Sequence, residues 1–272
     1  YDRYRRGPHA GLLGRFIVPV ARLEEFIGAF TALAQHAVHQ AHDDATPWRL
    51  SVIAKASDAA TLAAFNARYG SRVTIDVIEA PLMRQPDVPA LEALGALGAL
   101  AATYAVFVEV GSAADPAPVI ALLAHHRLQA KIRTGGVTAD AFPAADAVAR
   151  FFLACRDAHV PFKATAGLHH AWRADYPLTY EPGSARAPMY GFMNLLLASA
   201  AATGGAGADE LVGILSARNG VGFEIDDRGC LLPSGRALPA ALVAAARTAG
   251  MASFGSCSFE EPVAELIERG IL

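Results

Sequence analysis

Short runs rich in β-branched and aromatic residues recur along this chain at nearly even spacing, each followed by an alanine-rich stretch of helical character. That alternation constrains the fold more than any other feature, because strands that alternate with helices pair in parallel and cross over the sheet face. Eight runs fit: "RFIVPV" near 15, "RLSVIA" near 49, "VTIDVIEA" near 73, "AVFVEVG" near 105, "AKIRTGG" near 130, "PFKATAG" near 161, "GFEIDD" near 222 and "ASFGSCSF" near 252. Eight such units predict an α/β fold of the TIM-type (β/α)8 class, one barrel domain over residues 1–272. The expected helices span 22–41, 58–68, 89–102, 115–126, 144–158, 189–202 with 207–217, 238–248 and 260–269.

The seventh unit departs from the pattern. "GFEIDDRGCLLPSG" also reads as a β-hairpin turning at "DDRG", which leaves the barrel distorted or incomplete there. Between Trp172 and Met189, "WRADYPLTYEPGSARAP" is too broken by proline for a helix and longer than an ordinary connection. A lid and an ordered surface excursion are both open readings of 172–189.

Composition narrows the function classes. With 53% hydrophobic and 18% charged residues and a net charge of −3, the chain is neither of the disordered type nor basic enough for a nucleic-acid binder. Its longest apolar stretch, "PALEALGALGALAATYAVFVEVG", contains Glu92 and Glu109 among weakly hydrophobic alanines and glycines. It therefore reads as a helix and a strand, not a membrane span. Cys155, Cys230 and Cys257 show no disulfide or CxxC spacing, so reduced thiols and a cytoplasmic setting are expected. Alanine-rich helix faces permit a homo-oligomer without requiring one.

Twenty arginines accompany only three lysines, and Lys55, Lys131 and Lys163 all fall in or beside expected strands. Lysine differs from arginine in losing its proton readily on burial, after which it serves as a base or an imine-forming nucleophile. Strand alternation sets Lys131 and Arg133 opposite Ala130 and Ile132, and Lys163 and Thr165 opposite Phe162 and Ala164. Glu109 lies opposite Val108 and Val110. Three neighbouring strands then present Glu109, Lys131, Arg133 and Lys163 to one cavity. Two ammonium groups about 4.8 Å apart oppose each other's ionisation, and Glu109 restores part of the balance. The expected chemistry is attack of Lys163 on a carbonyl, with Lys131 or a histidine moving protons. A buried Lys131–Glu109 ion pair without catalysis is the plainer alternative.

Around these lysines, "TGG" and "AGLHH" place small residues where backbone N–H groups approach an anion. Arg133, Gly135, Gly136 and Thr165 are candidate binders of phosphate or carboxylate, although glycines at βα turns also serve geometry alone. His169 and His170 are adjacent, so in extended chain one faces the pocket and one faces away. They make a poor metal site alone, and Asp76, Glu79 or Glu109 would have to complete it. The histidines at 36, 39 and 42 read as a solvated helix stripe. In "SFGSCSFEEPVAEL", Ser256 and Ser258 are candidate anion donors ahead of a helix. Cys257 stands close to Glu260 and Glu261, which oppose a thiolate and favour a packing or rim role. Asn194 begins an apolar helix, where ligand contact and helix capping are both economical.

Locally, "KIRTGG" and "FKATAG" resemble the paired-lysine strands of deoxyribose-phosphate aldolase-like class I aldolases. Taken with "FKATAGLHHA", "GFMNLLLA" and "FGSCSFEEPVAEL", residues 100–272 also resemble a widespread bacterial family of hypothetical proteins. That resemblance implies a shared site at Lys131, Arg133, Gly135, Gly136, Lys163, Thr165, His169, His170, Asn194 and Glu261, and implies no reaction. The chain departs from the family at Tyr190, where a histidine tends to precede "GF". The expectation is an enzyme of lyase or aldolase type acting on a small anionic carbonyl compound, with no organic cofactor. Divalent-metal-assisted chemistry and a non-catalytic phosphometabolite-binding protein are the alternatives.

Overall fold

The computed structural model describes residues 1–37, 46–83, 88–112 and 114–272. Its strands are β1 (Phe16–Pro19), β2 (Trp48–Ile53), β3 (Val73–Met83), β4 (Ala105–Val110), β5 (Gln129–Arg133), β6 (Phe162–Thr165), β7 (Ala174–Pro177), β8 (Arg186–Met189), β9 (Glu224–Asp226), β10 (Gly229–Leu231), β11 (Ala237–Pro239) and β12 (Met251–Gly255). The helices are α1 (Asp2–Arg5), α2 (Leu23–Ala37), α3 (Ala59–Tyr69), α4 (Val88–Leu100), α5 (Ala117–His125), α6 (Ala145–Asp157), α7 (Phe192–Thr203), α8 (Ala208–Ser216), α9 (Ala240–Ala249) and α10 (Glu260–Glu268).

Among the described residues, seven strands form one open sheet in the order β1-β2-β3-β4-β5-β6-β12. The pairs β1/β2, β2/β3, β5/β6 and β6/β12 are parallel. Seven of the eight expected strands are in this sheet. The eighth, "GFEIDD", is instead the hairpin: β9 and β10 run antiparallel, with Asp227 and Arg228 at the turn and β11 alongside. All three residues of β9 are exposed, whereas a strand inside a parallel sheet has both faces covered and needs apolar residues on each. Gly229 completes the turn at φ 140°, and a Cβ there would lie 2.0 Å from the Leu238 carbonyl oxygen.

Two compact units divide the chain. The first comprises Tyr1–Val108 with His126–Leu128, and the second Glu109–His125 with Gln129–Leu272. In the first, Trp48 on β2 is met by Tyr1, Phe16, Phe26 and Phe30, with ring centroids 4.9 to 6.4 Å away. Leu50 and Val52 of β2, Ile78 of β3 and Leu62 of α3 are wholly buried.

In the second unit, Phe162 of β6 packs on Phe151 and Phe152 of α6, at 5.4 and 4.6 Å between ring centroids. The helix-facing side of β6 is thus apolar, as its alternation predicts, and full burial of such a ring contributes about 2–3 kcal/mol. Helix α7 is buried along most of its length and packs against α6, α8 and α9, because a helix apolar on every side has no face to offer water. Its entry requires Gly191, where a Cβ would lie 2.3 Å from the Ala171 carbonyl oxygen. Within 172–189, β7 and β8 form an antiparallel hairpin that pairs Ala174 with Met189 and Pro177 with Arg186.

Asp76 of β3 accepts hydrogen bonds from Arg15 Nε at 2.5 Å, Arg15 Nη2 at 2.9 Å and Arg49 Nε at 2.7 Å. Partial burial pushes its pKa up, but the hydrogen bonds and charges of Arg15 and Arg49 outweigh this and leave it below the ordinary carboxylate value. A lowered folded-state pKa stabilises the fold above the unfolded value near 3.9, and that contribution is lost as pH falls through the lowered value. Asp76→Asn is therefore expected to cost about 1 kcal/mol at pH 7, with the gap to wild type narrowing toward pH 3 in urea unfolding. A gap independent of pH would contradict this assignment.

Candidate functional site

The strands that end the second unit's part of the sheet bring the expected lysines together. In the β5/β6 register, Lys131 stands directly beside Lys163 and Arg133 beside Thr165. On the other side of β6, Lys163 pairs with Ser253 and Thr165 with Gly255. Both lysines are buried, with 6% exposure at Lys131 and 5% at Lys163. Glu109, at the end of β4, places Oε2 2.9 Å from Lys131 Nζ. A buried ammonium is tolerated only with a partner of this kind. Arg133 is exposed at the strand end, one turn of the pleat beyond Lys131.

Beyond the lysines the two strand ends are tied to each other. The wholly buried Thr134 hydroxyl lies 3.0 Å from the Ala166 carbonyl oxygen and 3.3 Å from that of Thr165. Ala166 and Gly167 follow with φ of 68° and 74°, a left-handed pair in which the alanine is strained. Gly135 has a packing reason to be glycine, since a Cβ there would lie 2.6 Å from Phe142 Cε1 and 3.1 Å from Gly167 Cα. Gly136 has the same kind of reason, facing Ala141 Cβ at 2.7 Å.

The two histidines have separate partners. His170 Nδ1 lies 2.5 Å from Glu265 Oε1, and the Ala171 N–H donates to Glu265 Oε2 at 2.6 Å. Tyr176 stacks on the His170 ring, 3.4 Å between centroids and 9° between planes. Burial pushes the Glu265 pKa up, but the His170 hydrogen bond, the Ala171 N–H and nearby positive charge hold it below the ordinary value. His169 Nδ1 lies 3.4 Å from Cys257 Sγ and 3.8 Å from Glu261 Oε2. Burial lowers the His169 pKa, only partly offset by the Glu261 charge. From the β7–β8 connection, Tyr180 donates its hydroxyl hydrogen to Glu261 Oε2 at 3.1 Å. Its phenol is raised to about 12 by burial and by Glu261 and Cys257.

Sequence reasoning did not find Glu265, Tyr176 or Tyr180. One signal was present: Glu261 and Glu265 are four apart on α10, hence on one helix face, and each meets one of the two consecutive histidines.

Other expected binders are engaged within the chain. Ser258 N–H points to Ser256 Oγ at 3.3 Å, and Ser258 Oγ accepts from the Glu261 N–H at 3.2 Å, in the first turn of α10. Asn194 is wholly buried. Its Oδ1 accepts from the Arg173 N–H at 2.8 Å, and its Nδ2 donates to the Ile214 and Ala217 carbonyls at 2.8 and 2.9 Å. Tyr190, the departure from the resembling family, is also wholly buried, donates to the Pro143 carbonyl at 2.7 Å and lies under the Arg173 guanidinium at 4.4 Å.

As for metal ligands, Asp76 is held by two arginines, and Glu79 accepts the buried Ser51 hydroxyl at 2.7 Å. Among the described residues, no group of three or more histidine, cysteine or acidic side chains is arranged to hold a metal ion. His39 and His42 lie outside the described residues, as does the side chain of His36. No described helix is long and apolar enough to cross a membrane.

No protein-family model, curated protein or solved structure matches the chain.

Asn194 joins α7 to the residue that leads into β7 and to the end of α8 by three hydrogen bonds. Asn194→Ala is expected to destabilise the protein by about 2–4 kcal/mol in urea unfolding, because it removes three hydrogen bonds and empties the space of a wholly buried side chain. A loss below about 1 kcal/mol would show that the amide is not the clasp.

Proposed function

We propose that the protein is an enzyme acting on a small anionic carbonyl compound, phosphorylated or carboxylated, by Schiff-base chemistry of the lyase or aldolase type. One observation carries this reading: Lys131 and Lys163 stand side by side on adjacent parallel strands, each more than nine-tenths buried. Burial of two like charges at one spacing is costly to a fold and is useful where an unprotonated amine is needed.

In this reading Lys163 attacks the carbonyl carbon, water leaves, and the protonated imine draws electrons from the adjacent carbon–carbon bond. Burial and the like charge on the neighbouring strand both favour the neutral amine that the first step requires. Lys131, held by Glu109 at 2.9 Å, supplies that charge from a set position. Arg133, exposed at the end of β5, binds the anionic group of the substrate, in keeping with the forked donor geometry of guanidinium. His170 carries protons through Nε2, the nitrogen outside its contact with Glu265, since the partner on Nδ1 sets the tautomer. The local resemblance to class I aldolases supports the same assignment. A closed barrel is not needed for it, because Glu109, Lys131, Arg133 and Lys163 all lie on the adjacent strands β4, β5 and β6.

Borohydride reduction in the presence of small phosphorylated and carboxylated aldehydes and ketones tests the reading. The expected result is a covalent adduct in the intact mass, mapped by peptide digestion to Lys163 and absent in Lys163→Arg. No adduct across the panel, or an adduct confined to Lys55, would refute it.

A further inference from the structure

We propose that Cys257 and His169 form a nucleophilic thiol–imidazole pair, a covalent site for α,β-unsaturated carbonyl compounds that is separate from the lysine chemistry. Three segments assemble it: the turn after β6 supplies His169, the turn after β12 supplies Cys257 with Glu261 on the first turn of α10, and the β7–β8 connection supplies Tyr180. Cys257 is exposed, while Cys155 and Cys230 are buried. Its sulfur lies 3.4 Å from His169 Nδ1 and 3.7 Å from Nε2, nearly equal distances that set it over the ring face, from which rotation of the imidazole brings a nitrogen lone pair onto the thiol proton.

The charges around the ring suit proton acceptance. Burial lowers the His169 pKa, which keeps the imidazole neutral and basic near pH 7. Once it takes the proton, Glu261 at 3.8 Å stabilises the imidazolium. Glu261 is itself oriented by the Tyr180 hydroxyl. His170, the adjacent ring, opposes the charge on His169 but is turned to its own carboxylate, Glu265. The other two thiols have no such help: burial raises Cys155 well above the ordinary range and Cys230 to about 11.

The ligand class follows from what this corner supplies. Acyl transfer needs donors for a developing oxyanion, and the Ser258 and Glu261 N–H groups here are directed to the Ser256 and Ser258 hydroxyls. Conjugate addition expels no leaving group, and the charge that reaches the carbonyl oxygen of the enolate is discharged by the proton that His169 has taken. The Cys257 proton passes to His169, a bond forms between sulfur and the β-carbon, the π pair moves to the α-carbon, and the imidazolium returns the proton there. Nothing leaves, and no oxidant or reductant is consumed.

N-ethylmaleimide, itself an α,β-unsaturated carbonyl compound, is the probe. The folded protein is expected to gain one adduct, on Cys257, faster at pH 7 than N-acetylcysteine does, and His169→Gln is expected to slow it roughly tenfold or more. Circular dichroism reports whether that variant is folded. If it is not, the wild-type pH–rate profile decides: an inflection below the free-thiol value of about 8.5 supports the pair, and one at or above it overturns the proposal. Reaction no faster than the free thiol, or an unchanged rate in folded His169→Gln, also overturns it.

Discussion

A parallel strand covered on both faces has little room for charge, and β5 and β6 each carry a lysine in that position, side by side in register. The surroundings of these strands answer to that constraint. Glu109 comes to the Lys131 ammonium from the neighbouring strand, and Phe151, Phe152 and Phe162 close the helix-facing side against water. Replacing such a group by an apolar residue of similar volume is often neutral or stabilising. The proposed chemistry gives the arrangement a purpose that stability alone does not.

The strand ends carry that constraint into the candidate site. After β6 the chain takes two left-handed residues, Ala166 and Gly167, and the glycines at 135 and 167 approach each other under Phe142. The histidines that follow are then held by carboxylates one helical turn apart on α10, Glu261 for His169 and Glu265 for His170. One helix face thereby gives two adjacent rings separate carboxylates, and the two proposals assign them different tasks, proton carriage in the lysine chemistry and activation of the Cys257 thiol.

Much of this was legible in the residues. The period-two pattern in "FKAT" orients Phe162 to α6, and the apolar runs mark all seven strands of the sheet, because parallel strands are apolar on both faces. The "GFEIDD" run misleads only if its three polar positions are ignored, and the "DDRG" turn correctly marks the hairpin. Gly135 and Gly136 read equally well as an anion cradle or as close packing, and only the position of Phe142 and Ala141 supplies the packing reason. Asn194 could not be assigned from sequence, since its partners lie about 20 residues away on both sides. For Cys257 the local acidic residues argued against reactivity, while the imidazole on which the proposal rests comes from 88 positions earlier in the chain.

With only three lysines in the chain, protein labelled with carbon-13 lysine gives a spectrum in which each side chain is assignable by single substitution. Following the Lys163 Cε signal with pH, in the folded protein and in urea, measures directly what burial beside a like charge does to that amine. The account requires Lys163 to lose its proton at a lower pH when folded than when unfolded. Equal midpoints in the two states, or a higher one in the folded protein, would contradict it.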